Sequence, residues 1–237
     1  FAGKPWLWCN VQNFGRNVHL TAALDANNRG LMEARTHAGR GRLEGVGMLN
    51  EGLCYNPLAY DFLFERAWVD RVVDLVDWGH DYAQRRYGMR QPDAEKAWDL
   101  LIPAIYTRFQ PERCEHLRRP SEEVRAVAEP RDGRLEAAWH HLLAAAPDLA
   151  GSDAYRFDLV NLGRQVLSNR ACLLKRDLQS ALGEGRTDDF RAMIEEMVAL
   201  LLAMDELVGT RKEFLLGCWL ADARRWGVTA AEKDLME

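Results

Sequence analysis

Residues 6–12 alternate with period two. Trp6, Trp8, Asn10 and Gln12 share one face, and Leu7, Cys9 and Val11 share the other. That is the pattern of a half-buried strand with one polar-aromatic face. Asn13-Phe14-Gly15 ends it as a loop. Residues 20–28 read as a short helix and 34–41 as a basic, mobile loop. The apolar run 46–49 predicts a second strand. Gly45 and Gly47 would weaken it, and they mark places where a ligand or another backbone comes close. Asn56 can cap a following helix and Pro57 suits its first position. Leu58, Phe62, Leu63, Phe64, Ala67 and Trp68 would form its apolar face.

Beyond this point only helical patterns occur. They are expected over 69–87 with a stop at Gly88, over 93–109 with a kink at Pro103, and over 134–146. Residues 153–182 form one long pattern ending at Gly183 and Gly185. Thr187 or Asp188 would cap residues 190–208. Helix 212–226 and a final segment opened by Thr229 complete the chain. Short connections favour antiparallel neighbours, and no fixed repeat suggests a solenoid.

A two-part organisation follows, with 1–70 as strand-helix-strand-helix and 71–237 as all-α. Two strands cannot stand as an independent sheet. The first part therefore reads as the tail of a (β/α)₈-type barrel, with a small α+β unit as the alternative. The fold class is mostly α: a barrel remnant of about two strands, followed by an all-α helical domain.

Composition removes several functions. The chain has 237 residues, 48% of them hydrophobic, which argues against disorder. A net charge of -5 argues against a nucleic-acid footprint. In the C-terminal half the longest charge-free apolar stretch, 197–204, spans 8 residues, against roughly 20 for a membrane helix. The 5 cysteines are widely spaced with no CxxC pair. They disfavour structural zinc and a dense disulfide framework, and leave room for a single bridge. The chain starts at Phe1 with no leader pattern, which suggests a segment of something longer.

Glu51 is the candidate catalytic carboxylate. It follows a probable strand, and βα barrels carry catalytic groups at the C-terminal strand ends. It could serve as nucleophile or acid/base in glycoside hydrolysis; the plain alternative is a Glu that favours a helix N-terminus. Glu44, Asp61 and Glu65 read as solvated or paired. Trp8 offers a flat apolar surface and an N–H donor for a sugar, or ordinary core packing. The amides of Asn10, Asn13 and Asn17 suit hydroxyl and N-acetyl groups, and equally suit turns. HExxH, GxSxG, Walker A and dinucleotide motifs are all absent, so no metal or cofactor is implied. Among the histidines, only His19 lies near the proposed site.

The segment from Trp6 to Asn17, with Trp8-Cys9 and then Asn13-Phe14-Gly15, resembles a strand-and-loop signature of the α-N-acetylglucosaminidases, glycoside hydrolase family 89. Val46-Gly47-Met48-Leu49-Asn50-Glu51-Gly52, followed by Asn56-Pro57 and Tyr60, resembles the second signature. Arg85-Arg86-Tyr87-Gly88, Ala97-Trp98, Phe157-Asp158-Leu159-Val160, Arg164-Gln165 and Phe214-Leu215-Leu216-Gly217 follow in family order.

The resemblance implies a (β/α)₈-type catalytic barrel followed by an all-α domain. It implies release of terminal α-linked N-acetylglucosamine with retention, from heparan sulfate-like or mucin-like glycans. Glu51 would be the nucleophile, and Trp8 and Asn13 would bind substrate. A secreted, periplasmic or lysosomal setting is expected. The family's acid/base Glu belongs to an earlier strand, so the rest of the catalytic barrel is an expected partner and this chain alone is expected to be inactive. Gln12 stands where His is frequent, and Arg16 replaces a Gly, so the loop geometry is expected to differ. The family pattern also continues past Glu237. The alternatives are a non-catalytic all-α interaction module and a barrel glycosidase of other specificity.

Overall fold

The computed structural model describes residues 3–12, 19–50, 56–107 and 133–236, with Asn50 described by its backbone alone. Asn13, Glu51, Cys54 and Cys114 lie outside the described residues. Strands β1 (Pro5–Gln12) and β2 (Arg42–Asn50) pair in parallel, with Trp8 opposite Val46 and Gln12 opposite Asn50. A register irregularity falls between Trp6 and Leu7. Parallel neighbours need a crossover; here it is a π-helical turn, Ala26–Gly30, running into α1 (Leu31–Thr36). Helix α2 (Pro57–Glu65) is the next described element after β2.

The crossover helix starts later and ends later than the sequence predicts. Asn27 and Asn28, read as its end, instead lie inside it and reach tertiary partners. Asn28 donates to the Val73 carbonyl at 2.8 Å and accepts from the Val73 N–H at 3.1 Å. Gly30, also helical, leaves space for Trp8: a Cβ there would lie 3.0 Å from the indole. The β2 glycines are explained in the same way. A Cβ on Gly47 would lie 3.0 Å from the Cys9 sulfur, and one on Gly45 would lie 3.4 Å from Leu7. Side chains of β1, rather than a ligand or a backbone, occupy the space they leave.

Helix α2 buries Leu58, Phe62 and Leu63 as predicted, but it stops at Glu65, so Trp68 is left 89% exposed. Helix α3 (Leu75–Tyr87) begins six residues later than the pattern implied. Asp74 sets that start by accepting the N–H groups of Val76 and Asp77. Gly88 ends it at φ 89°, a left-handed cap that suits glycine. Helix α4 (Pro92–Leu101) runs into a π-helical turn, Ile102–Tyr106. Pro103 sits in that turn: it lacks an N–H and crowds the preceding turn, so the helix widens there.

The remaining elements are α5 (Arg134–Ala144), α6 (Ala146–Leu149), the 31-residue α7 (Asp153–Gly183), α8 (Thr187–Gly209), α9 (Leu216–Arg224) and α10 (Ala230–Met236). The predicted helix over 212–226 is broken by Leu215 in an extended conformation, between a 3₁₀ turn at Lys212–Phe214 and α9. Before α10, Thr229 Oγ1 accepts the Glu232 N–H, and the Glu232 carboxylate accepts the N–H groups of Val228 and Thr229. The two groups satisfy each other's helix-start donors.

One core joins both parts of the chain. Leu20, Leu24, Leu58 and Phe62 pack with Trp78, Tyr82, Trp98, Leu142, Tyr155 and Leu162. An aromatic series runs through it. Phe62 meets Trp78 edge-on at 4.8 Å, Trp78 stacks on Tyr82 at 5.2 Å, and Tyr82 meets Trp98 edge-on at 5.1 Å. Glu65 ties α2 to α3 by accepting from the Trp78 indole at 2.8 Å and from Arg85 at 3.3 Å. Among the described residues no disulfide forms: Cys9 and Cys218 are exposed and Cys172 is buried. No described helix is long and apolar enough to cross a membrane.

Candidate functional site

The two strands end side by side, at the paired residues Gln12 and Asn50. From these ends the sequence runs on directly into Asn13 and Glu51, both outside the described residues. The chain is described again at His19 and at Asn56. Gln12, His19 and Asn56, which flank Asn13 and Glu51 in sequence, belong to one buried polar network.

Gln12, fully buried, donates from Nε2 to the Thr21 carbonyl at 2.8 Å. The Thr21 N–H donates to Asn56 Oδ1 at 2.9 Å, and Asn56 Nδ2 donates to the His19 carbonyl at 3.2 Å. Asn56 was expected to cap α2, but no side-chain cap bond forms. Its amide is spent instead on residues 19–21, because their backbone groups are buried and need partners. From the other side, Gln165 of α7 accepts the Leu20 N–H at 2.8 Å. Gln165 Nε2 lies 2.8 Å from His19 Nδ1 and 2.8 Å from Asn169 Oδ1. Sequence reasoning singled out His19 by position but missed Gln165 as its partner. Only the tertiary fold brings the two together across 146 positions.

Trp8 lies on the sheet face that carries Asn10 and Gln12, half-buried. Its indole N–H donates to Asn27 Oδ1 at 3.0 Å, and its ring covers Gly30. The polar-aromatic face of β1 thus turns toward the crossover helix, and Leu7 on the opposite face is 54% exposed.

The acids set aside on sequence grounds are solvated or engaged. Glu44 pairs with Arg42 at 2.6 Å on the surface, Asp61 is exposed, and Glu65 holds Trp78, Arg66 and Arg85. His80 pairs with Asp99 at 2.7 Å and His141 with Asp93 at 3.3 Å, both away from the strand ends. Among the described residues, no group of three or more His, Cys, Asp or Glu side chains could hold a metal ion.

The network ties Gln12, at the C-terminal end of β1, to residues 19–21 and to Asn56 after the parallel strand β2. Catalytic side chains of βα barrels sit at such ends. Residues 1–70 match the family described as "Alpha-N-acetylglucosaminidase (NAGLU) tim-barrel domain". Residues 78–237 match "Alpha-N-acetylglucosaminidase (NAGLU) C-terminal domain". The human protein named alpha-N-acetylglucosaminidase is 37% identical over 245 aligned residues, covering 100% of this chain and 33% of the human protein.

Among solved structures, the family 89 glycoside hydrolase from Clostridium perfringens in complex with PUGNAc superposes with a TM-score of 0.89 at 24% identity. That match covers 99% of this chain and 28% of the other. The Clostridium perfringens enzyme in complex with its substrate GlcNAc-alpha-1,4-galactose gives a TM-score of 0.90 at 24% identity, with the same coverage of 99% and 28%. The chain spans about a third of the length of these relatives. A barrel segment followed by the helices of the C-terminal domain, each matched in order, makes this chain a member of the α-N-acetylglucosaminidase family.

Proposed function

We propose that this chain is the C-terminal portion of a retaining glycosidase that releases terminal α-linked N-acetylglucosamine. In this reading Glu51 is the nucleophile. Its carboxylate attacks the anomeric carbon and forms a glycosyl ester as the aglycone oxygen departs. A second carboxylic acid protonates that oxygen, then deprotonates the water that cleaves the ester. Retention needs the two carboxyl groups about 5–5.5 Å apart. The second one belongs to barrel strands outside this chain, so the isolated chain is inert. Trp8 and Asn13 bind the sugar. Amide groups such as Asn13 supply polar contacts, and the Trp8 N–H is already engaged by Asn27.

The observation that carries this reading is the pairing of Gln12 with Asn50. Asn13 and Glu51 follow these two residues immediately, in a chain whose family is known. The substrate class is terminal α-N-acetylglucosaminyl glycans, heparan sulfate-like or mucin-like.

In the full-length protein, Glu51→Gln should abolish turnover of an aryl α-N-acetylglucosaminide while the fold, followed by circular dichroism, persists. Near-normal turnover overturns the nucleophile assignment. The purified 237-residue chain should show no turnover, and detectable turnover overturns the claim that its acid/base lies elsewhere.

A further inference from the structure

We propose that Gln165 is a positioning residue for the glycosidase reaction. It locks His19 as the neutral tautomer with its proton on Nε2, and so fixes residues 19–21, where the chain is next described after Gln12. The positioning role rests on the function proposed above; the lock rests on geometry alone.

The direction of each Gln165 contact follows from its partners. The Leu20 backbone N–H can only donate, so the Gln165 atom 2.8 Å from it is the oxygen. That orients the amide, and Nε2 faces the other way. Its two hydrogens have two partners, Asn169 Oδ1 at 2.8 Å and His19 Nδ1 at 2.8 Å. His19 Nδ1 therefore accepts with its lone pair, and in a neutral imidazole the proton then sits on Nε2. Gln165 is 3% exposed and His19 4% exposed, so water cannot readily replace either bond.

The lock sits where it matters for the site. Residues 19–21 are held by Gln165 on one side and by Asn56 and Gln12 on the other. Asn56 is the first residue described after Glu51, and Gln12 directly precedes Asn13. One amide on the long helix α7 is thus linked to described residues on either side of Asn13 and after Glu51. A small displacement of reacting groups is costly in rate, so Gln165 acts on catalytic geometry through residues 19–21.

The test has two arms in the full-length protein. First, nitrogen-15 spectra of the His19 ring near neutral pH should show an unprotonated Nδ1 and a protonated Nε2. In Gln165→Glu the carboxylate still accepts from Leu20 but offers His19 no hydrogen, so Nδ1 should become protonated. A protonated Nδ1 in the parent protein overturns the lock. Second, Gln165→Met and Gln165→Glu, normalised to folded enzyme, should lower kcat by on the order of 10- to 100-fold with KM little changed. An unchanged kcat in folded Gln165→Met overturns the positioning role. If the parent protein itself cleaves no α-N-acetylglucosaminide, the functional reading and the positioning role fall together, and the nitrogen-15 arm still decides the lock.

Discussion

Arg86 on α3 and Asp158 on α7 meet in a two-pronged ion pair, Nε to Oδ2 at 2.5 Å and Nη2 to Oδ1 at 2.8 Å, across 72 positions of sequence. The Tyr87 hydroxyl donates to the same carboxylate at 3.0 Å and in turn accepts the Trp98 indole N–H at 3.2 Å. Burial pushes the Asp158 carboxyl up, and the adjacent guanidinium opposes that push. Burial also works against the charge on Arg86, but Asp158 holds its pKa above the ordinary value. Removing one partner of a buried pair is strongly destabilising because the other charge is stranded. Asp158→Ala should cost about 3–5 kcal/mol by urea denaturation. A loss under about 1 kcal/mol, the range of an exposed pair, would show that the pair is effectively solvated.

Trp8 makes a separable contribution to the fold. Its N–H is held by Asn27, which is 3% exposed. Trp8→Phe leaves a buried acceptor unpaired, which costs about 1–3 kcal/mol. A double-mutant cycle of Trp8→Phe with Asn27→Ala should give a coupling of about 0.5–3 kcal/mol, as expected of residues in contact. Strict additivity would mean the hydrogen bond contributes nothing to stability.

Two glycines of α7 should respond with opposite signs. A Cβ on Gly163 would lie 2.9 Å from the Trp139 ring and 3.0 Å from Leu207, whereas one on Gly183 would meet nothing within 4 Å. Overpacking costs about 1–3 kcal/mol, while alanine gains up to about 1 kcal/mol over glycine in a helix. Gly163→Ala should therefore lower the melting temperature and Gly183→Ala should raise it. Equal shifts would disprove the close approach at Gly163.

The start of α7 carries an acid-sensitive link. Asp153 accepts from Arg211 at 2.8 Å and from Arg156 at 3.2 Å, and these bonds hold its carboxyl at about 2, below the ordinary 3.8. A carboxyl depressed in the folded state stabilises fully above its unfolded value. That contribution is lost as pH falls through the folded value. The melting temperatures of the parent and Asp153→Asn should thus differ near neutral pH and converge between pH 3.8 and about 2. A difference that persists at the acid end would place the effect of Asp153 outside the ion pair.

Both strands, the helical run after them and the 31-residue α7 were legible in the sequence, because period-two and helical patterns report which face is buried. Helix ends were less legible. Residues 69–74 lack the breakers that would have shortened the predicted helix, and the signal that mattered was one capping side chain, Asp74. Asn27, Asn28 and Asn56 are good cap and turn residues by type. In the fold they bind Trp8, Val73 and Thr21, partners 19, 45 and 35 positions away. Local propensity cannot register contacts at that range.

By itself the sequence determined the fold class and the family and named the candidate residues Glu51, Trp8 and Asn13, since composition, periodicity and ordered motifs are properties of the chain. Only the tertiary structure decided which way Trp8 faces, why Gly30, Gly45 and Gly47 must be small, and that Gln165 closes on His19. These depend on which buried polar group finds which partner, and that is settled only when distant segments share one core.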